Sequence, residues 1–592
     1  MQAMQTGDYA TAAACFDRLG KTVRSDEQLV NAAAFAHLQL GNDDRALEYL
    51  TVSLKIRAAQ ADVNAALGDI YLRRLDQDNS LKHLRRAVAL APKSPEMRFK
   101  LGAALIGFES FDEAIVEMRA AIAMKPQYIQ ARLSLTRALM GLGKLDDAET
   151  ELQSAEALAP KNNAVAFRTG KLREKQQRLD EAIALYKEVE VNSNHAAPVC
   201  EALALAELAC GNTEAALATL RRGLQHNPVD RNLLRHSAEL RYEMADPEAF
   251  SHYEEALTTR SVPGVRADYV AYLIQVQQNT EAMLQLQRYE AGIGRDSTWF
   301  SLTAEMLYEQ GKFEEALETL AQTTVEDHEL MTWKARCLLS CGDALAAQSL
   351  LLELLKKTPY DQYLLALLTT CYRLSDNPAY HELVNYDNLL IRSELDAPPG
   401  FTSLATFNEA LRETVEELHV MRSHPLSQSV IGGTQTPGNL LNQPNPVIQA
   451  LKQAFHSTLS RELGPSFYKK INETHPVSVG QGRSITLPAA WSIWVTEGGY
   501  HRSHVHPKGW YSSAYYVSLP GELKVTDRSG NDGKLAFGRP DLVTPVPLET
   551  ERMITPAEGI LALFPSYFWH GTLPFESSEP RVVVAFDALP SI

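Results

Sequence analysis

Small residues recur along the first two-thirds of the chain at one fixed interval. Alanine returns every 34 residues, or at twice that step where Ser80 takes the position, at Ala12, Ala46, Ala114, Ala148, Ala182 and Ala216. Prolines keep the same interval at Pro92, Pro126, Pro160 and Pro228. This period is typical of two antiparallel helices per repeat, because the small residue permits close helix packing and proline ends the second helix. The pattern predicts an all-α helical repeat array.

The period drifts slightly in the later units, where the small position continues at Ala249, Ala282, Ala316 and Ala346. Turn sequences at 142–148 and 310–316 fit the connection between the two helices of a unit. We predict about ten repeats across roughly residues 1–385, within a solenoid domain at 1–390. Such an array binds a peptide or a protein on its concave surface, or serves only as a spacer.

The hydrophobic pattern changes near residue 395. A Pro-Pro-Gly sequence at 398–400 ends the helical periodicity, and one amphipathic helix is predicted at about 403–421 and a second at about 445–463, with a loop-rich stretch at 427–438 between them. Beyond Pro476 come short β-branched and aromatic runs separated by Gly, Pro and Asp, at 483–487, 491–495, 513–519, 559–564 and 581–586. Residues 391–592 are therefore predicted to form an α+β domain whose strands build an antiparallel jelly roll.

Composition limits the kind of protein this can be. A length of 592 residues is too great for one core. The net charge of -16 argues against a nucleic-acid partner, which needs a basic surface. No apolar run predicts a membrane span, and the N-terminal residues do not resemble a signal peptide. The six scattered cysteines are best interpreted as buried reduced thiols, rather than as metal ligands or disulfides, so we expect a cytoplasmic protein.

Candidate chemistry lies near the C-terminus, at His504, His506, His570 and Arg581. A His-x-His pair on one strand places both side chains on one face, and a histidine from a neighbouring strand would complete a three-ligand cluster. Imidazole suits iron, zinc, copper or nickel, and three ligands leave positions for a substrate. The guanidinium of Arg581 offers two parallel donors for a carboxylate.

Four sequence motifs in this order carry a family resemblance. They are His-Val-His-Pro at 504–507, Ser-Ala-Tyr-Tyr-Val at 513–517, Phe-Pro-Ser-Tyr-Phe-Trp-His at 564–570, and Arg581. Together they resemble the double-stranded β-helix iron/2-oxoglutarate oxygenases, most closely a prolyl-hydroxylase-like branch joined to tetratricopeptide repeats. Gly432-Gly433-Thr434-Gln435-Thr436 is also similar to that branch, and the 34-residue units resemble the tetratricopeptide family.

The resemblance implies Fe(II) as cofactor and 2-oxoglutarate as cosubstrate. His504 would be the first iron ligand, His570 the distal histidine ligand, and Arg581 the clamp on the far carboxylate of 2-oxoglutarate. Tyr515 or Tyr516 would lie beside the cosubstrate. Only one of these two tyrosines can face the pocket, since neighbouring side chains on a strand point to opposite sides.

Position 506 departs from the common His-x-Asp/Glu pattern, in which two histidines and one carboxylate hold the iron. Three interpretations stay open: His506 ligates the metal in a three-histidine site, it lies behind the ligands, or the metal is bound elsewhere or absent. Three histidines also describe catalytic zinc sites. Arg581 favours iron, because a hydrolytic zinc site needs no buried carboxylate clamp. His501 is expected at the surface or behind the ligands, and Trp510 either in the core or against the substrate.

The function implied by the resemblance is a dioxygenase that hydroxylates a protein or peptide, on proline or another side chain, recruited by the repeats. Two other functions compete with it. The chain could be a small-molecule oxygenase whose repeats serve assembly. It could also be a non-catalytic repeat adaptor with a degenerate metal site.

Overall fold

The computed structural model of the chain describes residues 2–20, 22–421, 425–426, 428–524 and 530–591. Backbone contacts divide it into two compact units, Met1–Ser193 and Asn194–Ile592. This division falls inside the repeats, and the predicted domain boundary at residue 390 stays a prediction.

The first unit consists of helices, most of them in antiparallel pairs. They are α1 (Gln2–Gln5), α2 (Tyr9–Leu19), a 3₁₀ turn (Val23–Ser25), α3 (Glu27–Gln39), α4 (Asp43–Ile56), α5 (Ala61–Arg73), α6 (Gln77–Leu90), α7 (Pro95–Gly107), α8 (Phe111–Met124), α9 (Ile129–Gly141), α10 (Leu145–Leu158), α11 (Asn163–Lys175) and α12 (Leu179–Asn192).

The predicted small positions lie where the two helices of a pair touch. Ala46, Ala114 and Ala148 are fully buried in this unit. A second small position lies on the first helix of three pairs, at Gly68, Gly102 and Gly170, and a Cβ at Gly68 would lie 2.5 Å from Leu84 Cγ. The periodicity thus reflects close helix packing, which larger residues would prevent.

The second unit begins with further helix pairs, of which the last in the described chain is α21 with α22. The helices are α13 (Ala197–Ala209), α14 (Thr213–His226), α15 (Arg231–Glu243), α16 (Ser251–Thr259), α17 (Pro263–Gln275), α18 (Asn279–Ile293), α19 (Ser297–Glu309), α20 (Phe313–Leu320), α21 (His328–Ser340), α22 (Ala344–Lys357), α23 (Gln362–Leu374), α24 (Ala379–Leu383) and α25 (Tyr386–Leu389). In the last pair the predicted register is wrong by one residue, because Ala347, not Ala346, is fully buried.

The same unit continues into a domain of strands with a few helices. Its elements are β1 (Ile391–Glu394), α26 (Leu404–Glu416), β2 (Val430–Gln435), a 3₁₀ turn (Leu440–Asn442), α27 (Pro446–Glu462), α28 (Pro465–Tyr468), a 3₁₀ helix (Pro476–Gly480), β3 (Ile485–His501), β4 (Tyr511–Ser518), a 3₁₀ turn (Gly521–Leu523), β5 (Leu535–Phe537), β6 (Arg552–Ile554), β7 (Ile560–Pro565), β8 (His570–Thr572) and β9 (Arg581–Pro590).

In the described residues the strands form two antiparallel sheets. One has six strands in the order β1-β7-β4-β9-β3-β2, and the other has three in the order β6-β5-β8. The central strand β9 pairs with both β3 and β4, with Trp494 opposite Val582 and Tyr516 opposite Val583. The predicted fold class, helical repeats followed by an α+β domain on a double-stranded β-helix, is confirmed.

Two of the predictions for this domain's elements need correction. The long strand β3 joins two runs that were predicted as separate strands. The predicted loop-rich stretch contains β2, which pairs with β3; Ser427, at the start of that stretch, lies outside the described residues. A Cβ at Gly433 would lie 2.6 Å from the carbonyl oxygen of Trp494. The glycines that suggested a loop therefore serve a close strand pairing.

The last repeat helices and the sheets share one hydrophobic core. Buried residues of α21 to α23 and of β4, β7 and β9 belong to the same cluster. At its edge, the indole nitrogen of Trp569 donates to the carbonyl oxygen of Ala366 and to the hydroxyl of Thr370, both at 3.0 Å. No helix in the described ranges is long and apolar enough to cross a membrane.

Candidate metal centre

A short segment after β3 carries the first two predicted histidines and lies against β8. The backbone N–H of His504 donates to the carbonyl oxygen of His570 at 2.8 Å, and the N–H of His570 donates back at 3.0 Å. The N–H of His506 donates to the carbonyl oxygen of Ser566 at 3.0 Å. Two segments far apart in the sequence are thereby held side by side by backbone pairing.

Gly571 makes this close approach sterically feasible. A Cβ at this position would lie 2.8 Å from the carbonyl oxygen of His501 and 3.0 Å from the backbone nitrogen of Ser503. Both contacts are with backbone atoms, which cannot rotate away as a side chain can. A larger residue would therefore push the histidine segment away from β8.

The imidazole rings of His504, His506 and His570 converge. Their ring centroids lie between 4.2 and 5.1 Å apart, and their candidate ligand nitrogens all lie within 4.8 Å of one another. The Nε2 atoms of His504 and His506 are 3.0 Å apart. With small ring movements, one ion at metal–nitrogen distances of about 2.0–2.1 Å could bind all three.

Hydrogen bonds on the outer side orient two of these rings. Nδ1 of His504 contacts the carbonyl oxygen of Arg502 at 2.9 Å, and Nδ1 of His570 contacts the carbonyl oxygen of Phe568 at 2.8 Å. A carbonyl oxygen only accepts, so the proton of each neutral ring belongs on Nδ1. Each Nε2 then directs a lone pair toward the centre, as a metal ligand requires.

His506 is held by a residue that the sequence analysis missed. Its Nδ1 lies 2.6 Å from Oδ1 of Asp587, on β9, and that oxygen also accepts the hydroxyl of Ser512 at 2.8 Å. Asp587 is only 8% exposed. A carboxylate inside the apolar run of β9 was the available sequence signal, since buried acids are rare unless they are paired.

Burial disfavours the charged form of two of these rings, His504 and His570. Together with the neighbouring His506 ring, it lowers the pKa of His504 to about 3. Burial also lowers the pKa of His570 well below its usual value. Neutral imidazoles with lone pairs directed at each other repel unless a cation lies between them. The donor set therefore fits a divalent metal ion, and imidazole suits iron as well as zinc.

Arg581, at the start of β9, is 1% exposed. Its guanidinium donates to the carbonyl oxygen of Gly533 and to the hydroxyl of Thr572, each at 3.1 Å, and lies over the ring of Phe575. Its Nε has no partner, and no acidic side chain of the described residues lies within 4.0 Å. Burial lowers the pKa of Arg581. A buried cation without a counter-ion is costly, so this site favours an anionic ligand.

The two predicted tyrosines point to opposite sides of β4. Tyr516 lines the same cavity as Arg581, and its buried hydroxyl has no hydrogen-bond partner among the described residues. Burial raises the pKa of Tyr516 to about 12. The hydroxyl of Tyr515 donates to Oδ1 of Asn408 at 2.6 Å, inside the core. Of the two tyrosines, Tyr516 is therefore the one that faces the cavity, and its contact with the cosubstrate stays a prediction.

The inner ends of these side chains line a cavity of about 480 Å³. The three histidines, Arg581 and Tyr516 line it, with an apolar wall from Phe564, Val583 and Ala585. This volume lies within the range of about 300–1,000 Å³ of small-molecule sites. The cavity therefore joins the histidine cluster, a candidate metal site, to the buried cation of Arg581.

Two further predictions concern residues around the cluster. Trp510 is 4% exposed and donates its indole N–H to the carbonyl oxygen of Val477 at 3.2 Å, so the core interpretation holds and the substrate interpretation is wrong. His501 lines the cavity, and its Nδ1 lies 3.0 Å from the hydroxyl of Ser429, which is 3.2 Å from Nε2 of His504. His501 thus lies on the cavity wall beside His504, and the hydroxyl of Ser429 links the two rings.

Comparison with known families agrees with the architecture. Residues 489–587 match a family model described as "Putative 2OG-Fe(II) oxygenase". Residues 65–129 and 105–168 match two models of the tetratricopeptide repeat. A search of curated proteins found no match.

Similar solved structures are tetratricopeptide-repeat proteins. A thermophilic repeat protein of Thermus thermophilus is 22% identical with a TM-score of 0.29, over 31% of this chain and 98% of that chain. One from Parabacteroides merdae is 13% identical with a TM-score of 0.34, over 39% of this chain and 92% of that chain. The chain thus contains tetratricopeptide repeats, and its C-terminal residues 489–587 are similar to putative 2OG-Fe(II) oxygenases.

Proposed function

We propose that the C-terminal domain is an Fe(II)- and 2-oxoglutarate-dependent dioxygenase that hydroxylates a protein or peptide. One observation carries the proposal: the buried guanidinium of Arg581 has no acidic partner among the described residues and opens into the cavity of the three histidines. A hydrolytic zinc site has no use for this cation. A cosubstrate with one carboxylate on the metal and a second further away would use both features.

The chain's own residues would act as follows. His504, His506 and His570 would hold the iron through Nε2, and Arg581 would donate to the distal carboxylate of 2-oxoglutarate, with Tyr516 beside it. When bound, Fe(II) and 2-oxoglutarate supply an oxidative decarboxylation that consumes dioxygen, releases succinate and carbon dioxide, and adds a hydroxyl group to a C–H bond. The apolar wall would exclude water from this chemistry.

The proposed substrate is a polypeptide, hydroxylated on proline or another side chain. The support is the repeat family itself, since tetratricopeptide arrays mostly bind peptides or proteins. A cytoplasmic location is part of the same proposal, supported by the six cysteines, none of which is in a disulfide in the described chain.

The first test is an anaerobic titration of the full chain with Fe(II) and 2-oxoglutarate. We expect a metal-to-ligand charge-transfer band in the wild type and a loss of 2-oxoglutarate affinity of about 10- to 100-fold in Arg581→Ala, because charge-assisted hydrogen bonds are lost. Arg483→Ala is the matched control, since Arg483 is exposed and lies outside the cavity lining. A wild type without the band contradicts the oxygenase proposal.

The second test distinguishes the substrate classes. Succinate release by the iron-loaded full chain is measured with fractionated protein extract and, separately, with a metabolite extract. Stimulation by the protein fraction, lost after digestion to single amino acids, supports a polypeptide substrate. Stimulation by metabolites alone would mean a small-molecule oxygenase, and an absence of iron binding would mean a repeat adaptor.

A further inference from the structure

The three histidines of the cluster differ in what holds the outer nitrogen. His504 and His570 donate to neutral backbone carbonyls. His506 instead meets the carboxylate of Asp587, at 2.6 Å. A charged acceptor makes a stronger hydrogen bond than a neutral one and raises the basicity of the other ring nitrogen.

Few other groups offset the free-energy cost of burying the Asp587 carboxylate. Ser512 donates a hydroxyl hydrogen bond to it at 2.8 Å. Within the described ranges, His506 is the only basic side chain within 4.0 Å of this carboxylate. Because burying an unpaired carboxylate is costly, the charge is best offset by a cation on the far side of the His506 ring.

The surroundings hold this pair in one arrangement. The ring of Trp491 stacks on the ring of His506, with centroids 5.7 Å apart and planes at 30°. The turn after His506 packs directly on the carboxylate, since a Cβ at Gly509 would lie 2.4 Å from Oγ of Ser566 and 3.1 Å from Oδ1 of Asp587. Rotation of the His506 ring away from Asp587 would break both the stacking on Trp491 and the hydrogen bond to the carboxylate.

We propose that Asp587 is a positioning residue that provides, through His506, the negative charge which a His-x-Asp/Glu motif would place directly on the metal. The inference rests on the proposed metal centre and deepens it. A site of three neutral histidines is one unit more positive than a site of two histidines and a carboxylate. The hydrogen-bonded carboxylate restores that charge one ring further out, and it orients Nε2 of His506 toward the ion.

The test uses Co(II) as an optical probe of the full chain, without 2-oxoglutarate or dioxygen. We expect Asp587→Asn to weaken Co(II) binding about 10- to 100-fold, as for other residues behind metal ligands. In the His506→Ala background, Asp587→Asn should cause no further loss, because it acts through that ring. Ser512→Ala is the matched control: it removes the other hydrogen bond to Asp587 and should change the affinity less than roughly threefold.

Two outcomes would overturn the inference. In the first, the Co(II) affinity of Asp587→Asn lies within roughly threefold of the wild type. In the second, Asp587→Asn lowers the Co(II) affinity by the same factor in the wild-type background and in the His506→Ala background. If circular dichroism shows that Asp587→Asn does not fold, the test is made on the wild type instead. A long-range ¹H–¹⁵N spectrum of histidine-labelled protein should then show His506 protonated on Nδ1. Protonation on Nε2 would contradict the proposal.

Failure of the oxygenase proposal can be told apart from failure of this inference. Co(II) binding requires neither cosubstrate nor turnover. A wild type that binds Co(II) in an Asp587-dependent way but gives no charge-transfer band with Fe(II) and 2-oxoglutarate would contradict only the oxygenase proposal. A normal band with an Asp587-independent metal affinity would contradict only the role of Asp587.

Discussion

The indole nitrogen of Trp569 donates to the carbonyl oxygen of Ala366 at 3.0 Å. Trp569 directly precedes His570, whereas Ala366 lies in α23, which follows the last repeat pair. The strand that carries a candidate ligand is thus attached to a helix of the repeat region, inside a shared core. Helix α23 therefore helps to position the histidine cluster.

Trp569→Phe should lower the free energy of unfolding of the second unit by about 1–2 kcal/mol, because it removes hydrogen bonds to Ala366 and Thr370 while keeping most of the packing. Denaturant unfolding measures this. Trp299→Phe is the matched control, since the buried Nε1 of Trp299 has no hydrogen-bond partner in the part of the chain that the structure describes. Equal losses in the two variants would show that packing, not hydrogen bonding, stabilises the Trp569 contact.

Gly571→Ala should both destabilise the domain and weaken its metal binding. The added Cβ would meet backbone atoms of the histidine segment at 2.8 and 3.0 Å, and relief of such overpacking typically costs about 1–3 kcal/mol. Denaturant unfolding and Co(II) titration report the two effects. Gly521→Ala is the control, because its Cβ would meet nothing nearer than 4.0 Å. Unchanged Co(II) affinity in Gly571→Ala would contradict the role assigned to this close approach.

Arg581→Met should raise the melting temperature of the ligand-free protein, because it removes a buried cation that lacks a counter-ion among the described residues. The same change should abolish the further stabilisation that 2-oxoglutarate gives to the iron-loaded wild type. Thermal unfolding with and without 2-oxoglutarate measures both effects. A variant that is less stable and still stabilised by 2-oxoglutarate would rule out the carboxylate clamp.

Tyr516→Phe and Tyr515→Phe should have opposite effects. The hydroxyl of Tyr516 has no partner in the structure, so its removal should leave the ligand-free stability nearly unchanged and weaken 2-oxoglutarate binding. The hydroxyl of Tyr515 donates to Asn408 in the core, so its removal should cost about 1–2 kcal/mol and leave 2-oxoglutarate affinity unchanged. Unfolding and cosubstrate titration of both variants test the assignment. If Tyr515→Phe alone weakens cosubstrate binding, the faces of β4 are assigned the wrong way round.

Much of the helical region could be predicted because its signals are local. The small residues at fixed spacing mark where paired helices touch, and Ala114 and Ala148 are fully buried as expected. At the last pair the predicted residue was wrong by one position, since Ala347 rather than Ala346 is fully buried. At this pair the distance from the preceding small residue no longer equals the 34-residue period. Helix packing, rather than the period, therefore determines which of the two neighbouring alanines is buried.

The strands were harder to predict where their partners are distant. β2 was predicted as loop because its glycines resemble a turn, yet Gly433 allows close pairing with Trp494. The strands β5, β6 and β8 have three residues each, too few for a periodic signal. Pairing between distant segments, rather than local preference, forms such strands.

The sequence by itself determined the repeat architecture, the jelly-roll class and the identity of three histidines and an arginine as candidate chemistry, because periodicity and residue type act locally. Only the tertiary structure decided that Tyr516 rather than Tyr515 faces the cavity, that Trp510 belongs to the core, and that Asp587 holds His506. Each of these depends on strand register, where a slip of one residue reverses the side to which every side chain points.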